Sequence, residues 1–169
     1  MTADPYTRHY RSEVELDADA TNLFAFLDDH RRLAGHMEKP SLMMAGGAMR
    51  IETDAQLGMA VGSVIHIAGR VFGVDLVADE VVTERVPPFH KTWETRGQPQ
   101  LLVVGAYRMG FAITPVAHRS RLVVFIDYQL PPSGFGHVLG LLAGRAYAIW
   151  CTRRMVSDAV AAMAGEAKQ

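Results

Sequence analysis

The sequence contains only one cysteine, Cys151, so no disulfide can form within the chain. Its charge is also nearly balanced, with 17 Lys and Arg against 18 Asp and Glu and a formal net charge of −1. A protein that neutralises nucleic-acid phosphates needs a basic face. We therefore expect no nucleic-acid partner, and the single cysteine fits a reducing, cytoplasmic location.

Long apolar runs are missing as well. The first ten residues, MTADPYTRHY, lack the apolar core of a signal peptide. The longest apolar run lies near the C-terminus, where Arg145 interrupts it and leaves it too short to cross a bilayer. The sequence predicts no transmembrane segment, and its 169 residues predict one soluble domain, 1–169, with a core of its own.

Signatures of catalytic, cofactor and metal sites are also absent. Of the seven histidines only His30 and His36 are close in sequence, and no carboxylate motif completes a metal site, so surface or loop positions explain the histidines better. Nothing near Cys151 in the sequence would activate it as a nucleophile. The glycines of 134–140 follow Pro131-Pro132-Ser133 and precede no second parallel strand, which argues against a dinucleotide fold. We expect no catalytic residue, cofactor or metal.

The periodic segments that are present predict an α+β protein. Alternation of apolar and polar residues predicts a first strand at His9–Asp17, and Asp19 is a candidate cap for the helix that follows. A second short helix is expected at about His30–His36. Strands then follow without regularly alternating helices, which argues against a parallel sheet. These strands are predicted at Met49–Asp54, Ser63–Val71, Val74–Arg85, Phe89–Thr95, Leu101–Thr114 and Arg121–Leu130.

The last two strands also predict a register. If residues 117 and 118 form the hairpin turn, Arg108 lies opposite Asp127 on the outer face of the sheet. The same register places Tyr107 opposite Tyr128. The side chains expected to face the helix are then Tyr107, Met109, Phe111, Leu122, Val124 and Ile126.

The final segment, Gly136–Met163, contains no proline and predicts a helix of roughly 40 Å. At about 100° per residue it has one apolar stripe, with the polar residues Arg145 and Thr152 inside it. Gly140 and Gly144 would let this helix pass close to its neighbours. The stripe consists of Val138, Leu141, Leu142, Ile149, Val156, Val160 and Met163, flanked by Ala159.

Five stretches carry a family resemblance: VELDADATNLFAFLDDHRRLAGHM, LGMAVGS, VVTERVPPFHKTWE, GAYRMGFAITPVAHRSRLVVFIDYQLP and the closing helix. Together they resemble the START/Bet v 1-like (SRPBCC) superfamily, and within it the bacterial polyketide cyclase/dehydrase-like proteins. The resemblance implies a helix-grip fold, in which a curved antiparallel sheet of about seven strands surrounds the long C-terminal helix. It also implies two short helices between the first two strands and an internal cavity for sterols, lipids, aromatic polyketides or hormones.

Our functional hypothesis is binding of a small, largely apolar molecule, lipid-, sterol- or aromatic polyketide-like, between the sheet and the C-terminal helix. Large flexible and aromatic side chains on the inward faces suit an apolar cavity. The methionines around Met37 and Met44 either fill gaps in the core or form a soft lip over the cavity. The candidate ligand-binding residues are Met37, Met44, Trp93, Tyr107, Met109, Phe111, Arg145, Ile149 and Thr152.

Arg145 has two interpretations. Its side chain either reaches water past the helix edge or donates a charge-assisted hydrogen bond to an acidic group of the ligand. Its position in the apolar stripe favours a side chain that reaches the cavity wall, where a carboxylate or hydroxyl from the sheet would hold it.

Two other classes of function fit the sequence. One is a cyclase or dehydratase, with Arg145 stabilising an oxyanion and Tyr107 in proton transfer, although the sequence shows no clear acid–base pair. The other is an interaction protein that uses Tyr147, Trp150 and Cys151 on the outer helix face to contact a partner or to form a homodimer.

Overall fold

The strands of the chain pair into one antiparallel sheet in the computed structural model, which describes residues 5–33 and 48–166. Within these ranges the seven strands are ordered β1-β7-β6-β5-β4-β3-β2, and the sheet curves around the long helix α3. Two short helices follow β1 in the chain, so the helix-grip prediction is confirmed. The elements are β1 Arg8–Leu16, α1 Ala20–Asp28, α2 His30–Leu33, β2 Ala48–Thr53, β3 Val64–Val71, β4 Val74–Val86, β5 His90–Gln100, β6 Tyr107–Val116, β7 Arg119–Tyr128 and α3 Gly134–Glu166.

Helix α1 begins where the sequence predicted. The Asp19 side chain accepts hydrogen bonds from the backbone N–H groups of Thr21 and Asn22, which the helix itself cannot satisfy. Its apolar face, which includes Leu23 and Leu27, is buried against the core. The predicted second helix begins at His30 as expected, and the end predicted for it lies outside the described residues.

The hairpin between β6 and β7 confirms the predicted register. Residues 117 and 118 form the turn, and Tyr107 pairs with Tyr128. Arg108 Nη2 lies 2.9 Å from Asp127 Oδ2 in a cross-strand ion pair on the outer face. The six side chains predicted to face inward, Tyr107, Met109, Phe111, Leu122, Val124 and Ile126, are all buried.

The start predicted for β6, at Leu101, is wrong. The strand begins at Tyr107, and residues 101–106 leave the sheet as a connecting loop. The loop is held by hydrogen bonds in which Gly105 N–H donates to the carbonyl of Gln129, and Gln129 N–H donates to the carbonyl of Ala106. Its apolar residues pack against the core without pairing to a strand, and its backbone at Val103 lies against the glycines of α3.

The face that α3 turns toward the sheet also differs from the prediction. Of the predicted stripe only Met163 and the flanking Ala159 are buried, together with Thr152, which lies within it. Four other members of the stripe are exposed, with Leu142 at 79%, whereas Ile149 and Val156 are half-buried. The buried positions of the helix recur every three or four residues and are mostly small: Gly140, Gly144, Ala148, Cys151, Thr152, Met155, Ala159 and Met163. The exposed members of the stripe are Val138, Leu141, Leu142 and Val160.

Close approach of backbone explains this orientation. A Cβ atom at Gly140 or at Gly144 would lie 2.9 Å from the carbonyl oxygen of Val103, which is closer than side chains tolerate. The expectation that these two glycines pass close to a neighbour is therefore confirmed. Because the loop and the sheet leave little space, α3 presents its small residues inward and its bulky ones outward.

The outer-face hypothesis loses two of its three residues. Cys151 is buried, and Tyr147 lines the interior, so neither lies on an outer surface of α3. Trp150 is half-buried and packs 5.9 Å from the Tyr147 ring. Formation of a homodimer stays a prediction. In the described ranges, none of the helices is both long enough and apolar enough to span a membrane.

Candidate functional site

An apolar cavity of about 240 Å³ lies between the sheet, the loop after β5 and helix α3. Most of its lining side chains are aliphatic, and the two that carry hydroxyl groups are Tyr107 and Tyr147. The lining residues are Met49, Ile67, Val71, Phe72, Leu76, Ala78, Leu101, Leu102, Val103, Val104, Tyr107, Leu139, Ala143 and Tyr147. Such a surface suits an apolar ligand with very few polar groups.

Phe72 marks the mouth of this cavity, because it lines the cavity and yet is 82% exposed. Phe72 and Gly73 form the two-residue turn between β3 and β4, with φ angles of 51° and 79°. Positive φ at both positions is the mark of a type I′ hairpin turn, whose twist matches the flanking strands. The turn therefore holds an exposed aromatic ring beside the opening.

One row of residues across the inner face of the sheet joins the cavity, through Tyr107, to a buried polar cluster. Glu80 of β4 lies opposite Thr95 of β5, and the backbone N–H of Tyr107 in β6 donates to Thr95 Oγ1 at 3.1 Å. Strands are about 4.8 Å apart, so Glu80 and Tyr107 stand roughly 10 Å apart along the sheet. The short Thr95 between them leaves room, and the Tyr107 hydroxyl donates a hydrogen bond to Glu80 Oε1.

The other oxygen of Glu80 faces His30. His30 Nε2 lies 3.3 Å from Glu80 Oε2, and the imidazole packs edge-on against Trp93 with ring centroids 4.7 Å apart. Lys91 Nζ, which can only donate, lies 3.5 Å from His30 Nδ1. The acceptor nitrogen is therefore Nδ1, and Nε2 carries the hydrogen that faces Glu80. The predicted surface or loop position is wrong for His30, which is 3% exposed because these partners satisfy it inside the fold.

Lys91 connects this cluster to an ion pair. Its fully buried Nζ lies 3.0 Å from Asp28 Oδ1 and donates to the Asp28 backbone carbonyl at 2.8 Å. Arg85 Nη2 lies 2.7 Å from Asp28 Oδ2. Burial acts to raise the pKa of Asp28, but hydrogen bonds from Arg85 and Lys91 outweigh it and hold that pKa below its usual value. Burial lowers the pKa of Lys91, against the opposing effect of Asp28.

Tyr147 and Cys151 approach the same cluster from α3. Burial raises the pKa of the Cys151 thiol to about 12, and the nearby charge of Glu80 adds to the shift. Burial likewise raises the pKa of the Tyr107 and Tyr147 hydroxyls, with the charge of Glu80 contributing to both. All three groups are therefore protonated at neutral pH. Within the described residues the Tyr147 hydroxyl has no hydrogen-bond partner, unlike the hydroxyl of Tyr107.

The structure separates the predicted ligand-binding residues into several groups. Tyr107 lines the cavity. Trp93, Met109 and Phe111 are buried in the core, and the Thr152 hydroxyl is paired with Ser12 Oγ at 2.8 Å; these four are not among the residues that line this cavity. Ile149 is half-buried and also lies outside the lining. Met37 and Met44 lie outside the described residues.

Arg145 does not reach the cavity wall, so that prediction is wrong. Its side chain is exposed, and the residue is not part of the lining. The inward face of α3 is centred on Gly144 and Ala148, which turns Arg145 toward solvent, where a guanidinium is best solvated.

The polar cluster itself was missed in the sequence, although two signals point to it. Glu80 shares the buried face of β4 with Ala78 and Val82, two positions away on either side. Lys91 has the same relation to Trp93 in β5. A charged residue at the alternating positions of a strand that are otherwise apolar is expected to be buried, and it then needs charged or hydrogen-bonding partners inside the fold. Glu80 and His30 also form an acid–base pair that the sequence did not reveal. In the described part of the chain no group of three or more His, Cys, Asp or Glu side chains could hold a metal ion.

Solved structures share this fold at low sequence identity. The chain is 18% identical to the Zhui aromatase/cyclase from a Streptomyces species, with a TM-score of 0.61 over 95% of this chain and 93% of that one. It is 15% identical to norcoclaurine synthase from Thalictrum flavum, with a TM-score of 0.61 over 94% and 87% of the two chains. A protein from Chromobacterium violaceum is 16% identical, with a TM-score of 0.61 over 92% and 96%.

These likenesses establish the fold. The chain has the START/Bet v 1-like fold that the sequence resemblance predicted. No family model matches the chain, and no curated protein is detectably similar to it in sequence. Function must therefore be argued from the cavity and its residues.

Proposed function

We propose that the protein binds a small, largely apolar molecule in the cavity between the sheet and α3. The observation that carries the proposal is the cavity itself, about 240 Å³ of space lined mostly by aliphatic side chains, with Phe72 and two tyrosines. A packed core has few voids larger than a water molecule, so a cavity of this size and composition supports a binding role. The single buried cysteine supports a reducing, cytoplasmic location for this binding.

The volume of the cavity favours one of the three ligand classes. An apolar cavity of about 150 Å³ accommodates benzene, so about 240 Å³ suits roughly ten non-hydrogen atoms. One or two aromatic rings meet that size. A sterol or an acyl lipid is larger and would have to extend through the mouth beside Phe72. An aromatic, polyketide-like ligand or a fragment of that kind is therefore our preferred class.

Native mass spectrometry of gently purified protein tests this proposal, together with a titration of 2-naphthol and cholesterol. We expect one retained molecule or one 2-naphthol per chain, and much weaker binding of cholesterol. A protein that retains no molecule and binds neither probe would contradict the proposal.

A second candidate function, an enzyme of the cyclase type, is supported by the Tyr107–Glu80–His30 arrangement. A carboxylate between an imidazole and the hydroxyl of a tyrosine that lines the cavity is suited to proton transfer through that tyrosine. The Zhui aromatase/cyclase shares the fold, which adds support of a general kind.

Hydrogen exchange at the carbon next to a ketone tests for this activity without knowledge of the natural substrate. We expect the protein to accelerate deuterium incorporation into 2-tetralone, followed by NMR, and Glu80→Gln to remove the acceleration. Glu84→Gln, on the exposed face of the same strand, is the matched control. Exchange at the uncatalysed rate with the wild-type protein would leave binding as the better account.

A further inference from the structure

The direction of the hydrogen bond between Tyr107 and Glu80 determines what Tyr107 can offer a ligand. A tyrosine hydroxyl has one hydrogen, and a carboxylate can only accept. Because the Tyr107 hydrogen is donated to Glu80 Oε1, the oxygen retains only acceptor capacity for the cavity that Tyr107 lines. A ligand atom that meets this oxygen must therefore be a donor.

Tyr147 complements Tyr107 on the opposite wall. It lines the same cavity from α3, and no described residue accepts or donates a hydrogen bond at its hydroxyl. Its hydrogen is free to be donated to a ligand oxygen.

The charges around the cavity disfavour an acidic ligand. Glu80 is 3% exposed, and its negative charge contributes to the raised pKa values of Tyr107, Tyr147 and Cys151. Arg145, the cation expected to balance a ligand carboxylate, is exposed and lies outside the lining. Lys91 is committed to Asp28 at 3.0 Å. A carboxylate in this cavity would meet a like charge and no free cation from the lining residues.

We infer that the cavity selects a neutral ligand with a hydroxyl group on its apolar body, the hydroxyl donating to Tyr107 Oη and accepting from Tyr147. This inference rests on the proposed binding function and adds the polarity of the ligand to it. Phenols and aromatic alcohols have this chemistry, because one hydroxyl is both donor and acceptor. Ethers, ketones and carboxylates lack the donor.

Three naphthalene probes of similar size separate these possibilities by titration calorimetry at pH 7. The probes are 2-naphthol, 2-methoxynaphthalene, which accepts but cannot donate, and 2-naphthoate, which is an anion. We expect 2-naphthol to bind at least about tenfold more tightly than the ether, because a buried acceptor left facing another acceptor is costly. The naphthoate should bind most weakly. Equal affinities for naphthol and ether, or tightest binding of naphthoate, would overturn the inference.

Glu80→Gln tests whether Glu80 sets this polarity. The His30 Nε2–H should hold the amide oxygen, which turns the amide NH₂ toward Tyr107 and makes the tyrosine oxygen an acceptor of that group. The Tyr107 hydrogen is then free to be donated into the cavity. The affinity for 2-methoxynaphthalene should therefore rise by about tenfold relative to the affinity for 2-naphthol. Glu84→Gln, exposed on the same strand, should leave the ratio unchanged. An unchanged ratio in Glu80→Gln would contradict the inference.

Tyr107→Phe provides a second variant in case Glu80→Gln fails to fold. It should weaken the binding of 2-naphthol by about tenfold and change the affinity for 2-methoxynaphthalene by less than about twofold. Tyr128→Phe, a buried tyrosine outside the lining, is its control and should alter neither. If Tyr107→Phe leaves the preference for naphthol intact, Tyr107 is not the acceptor.

If no probe binds to the wild-type protein, the proposed function fails together with the inference. If all three bind equally, the proposed function survives and the inference fails.

Discussion

The hydroxyl of Tyr107 donates a hydrogen bond to Glu80 although the two residues lie on β6 and β4, with β5 between them. The contact is possible because the position between them is occupied by the short side chain of Thr95. It links a buried carboxylate to Tyr107, which lines a cavity that is otherwise mostly apolar. The cavity and the buried polar cluster are therefore neighbouring parts of one interior, joined by a single tyrosine.

Removing Asp28 should cost more stability than removing its buried partner Lys91. Asp28→Asn leaves the fully buried Lys91 without its countercharge, which should lower the free energy of unfolding by about 3 kcal/mol. Lys91→Met leaves Asp28 paired with Arg85 and keeps the apolar stem, so its cost should be less than half as large. Urea denaturation of the two variants measures both values. A larger cost for Lys91→Met would contradict the view that Asp28 is the common partner.

Stability should also fall in acid. The folded-state pKa of Asp28 lies below its unfolded value of about 3.9, so below roughly pH 5 the unfolded state binds more protons than the folded state. This contribution is fully present above that range and is lost as the pH falls through the folded pKa. The pKa of Asp54 is lowered as well, because the Ser63 hydroxyl and the backbone N–H of Val64 donate hydrogen bonds to its carboxylate, so its contribution to stability is also lost in acid. Denaturation midpoints between pH 6 and 3 should therefore decrease, and the decrease should be smaller in Asp28→Asn. If the midpoint fell equally with pH in the variant and the wild type, Asp28 would be excluded as a source of the acid sensitivity.

Cys151 should be unreactive in the folded protein. The thiolate is the reactive form, and with a pKa of about 12 only about one thiol in ten thousand is ionised at pH 8. The side chain is also buried. Labelling by iodoacetamide should be slow in buffer and complete in denaturant, as followed by mass spectrometry. Rapid labelling of the native protein would show that the interior between α3 and the sheet opens frequently.

The sequence was sufficient for the antiparallel sheet and for the register of its last hairpin. The hairpin register that sets Arg108 opposite Asp127 follows from strand alternation and a two-residue turn, both of which are local properties. The end of β5 and the start of β6 are not local properties, because the apolar residues of the loop 101–106 pack into the core and its backbone lies against α3 instead of pairing with a strand. A period-two pattern cannot distinguish those two kinds of burial.

The helix orientation and the site could not be predicted from hydrophobicity alone. The space beside Val103 admits only glycine at positions 140 and 144, so the size of side chains rather than their hydrophobicity set the inward face of α3. Reversal of that face moved Tyr147 and Cys151 inward and left Arg145 exposed. Pairing of Glu80 with Tyr107 depends on the sheet order and on β5 between them, which no sequence spacing contains.

Arg145→Met follows from this corrected orientation. Arg145 is exposed and outside the lining, so its replacement should change the affinity for naphthol or naphthoate by less than about twofold, as expected of a surface substitution. Titration calorimetry on the same probes measures the change. A selective loss of naphthoate binding would restore Arg145 as an anion-binding residue and contradict the structure-based assignment.

Binding of 2-naphthol to a variant whose cavity is filled tests most directly whether the ligand occupies this cavity. Ala143 of α3 lines the cavity, whereas Ala146, three residues further along the helix, is exposed. Ala143→Trp places an indole in about 240 Å³ of space, while Ala146→Trp adds the same group outside. We expect Ala143→Trp to bind 2-naphthol at least about tenfold more weakly than the wild type, a loss of about 1.4 kcal/mol, and Ala146→Trp to bind it normally. Normal binding by a folded Ala143→Trp variant, or equal loss in both variants, would show that the ligand does not occupy this cavity.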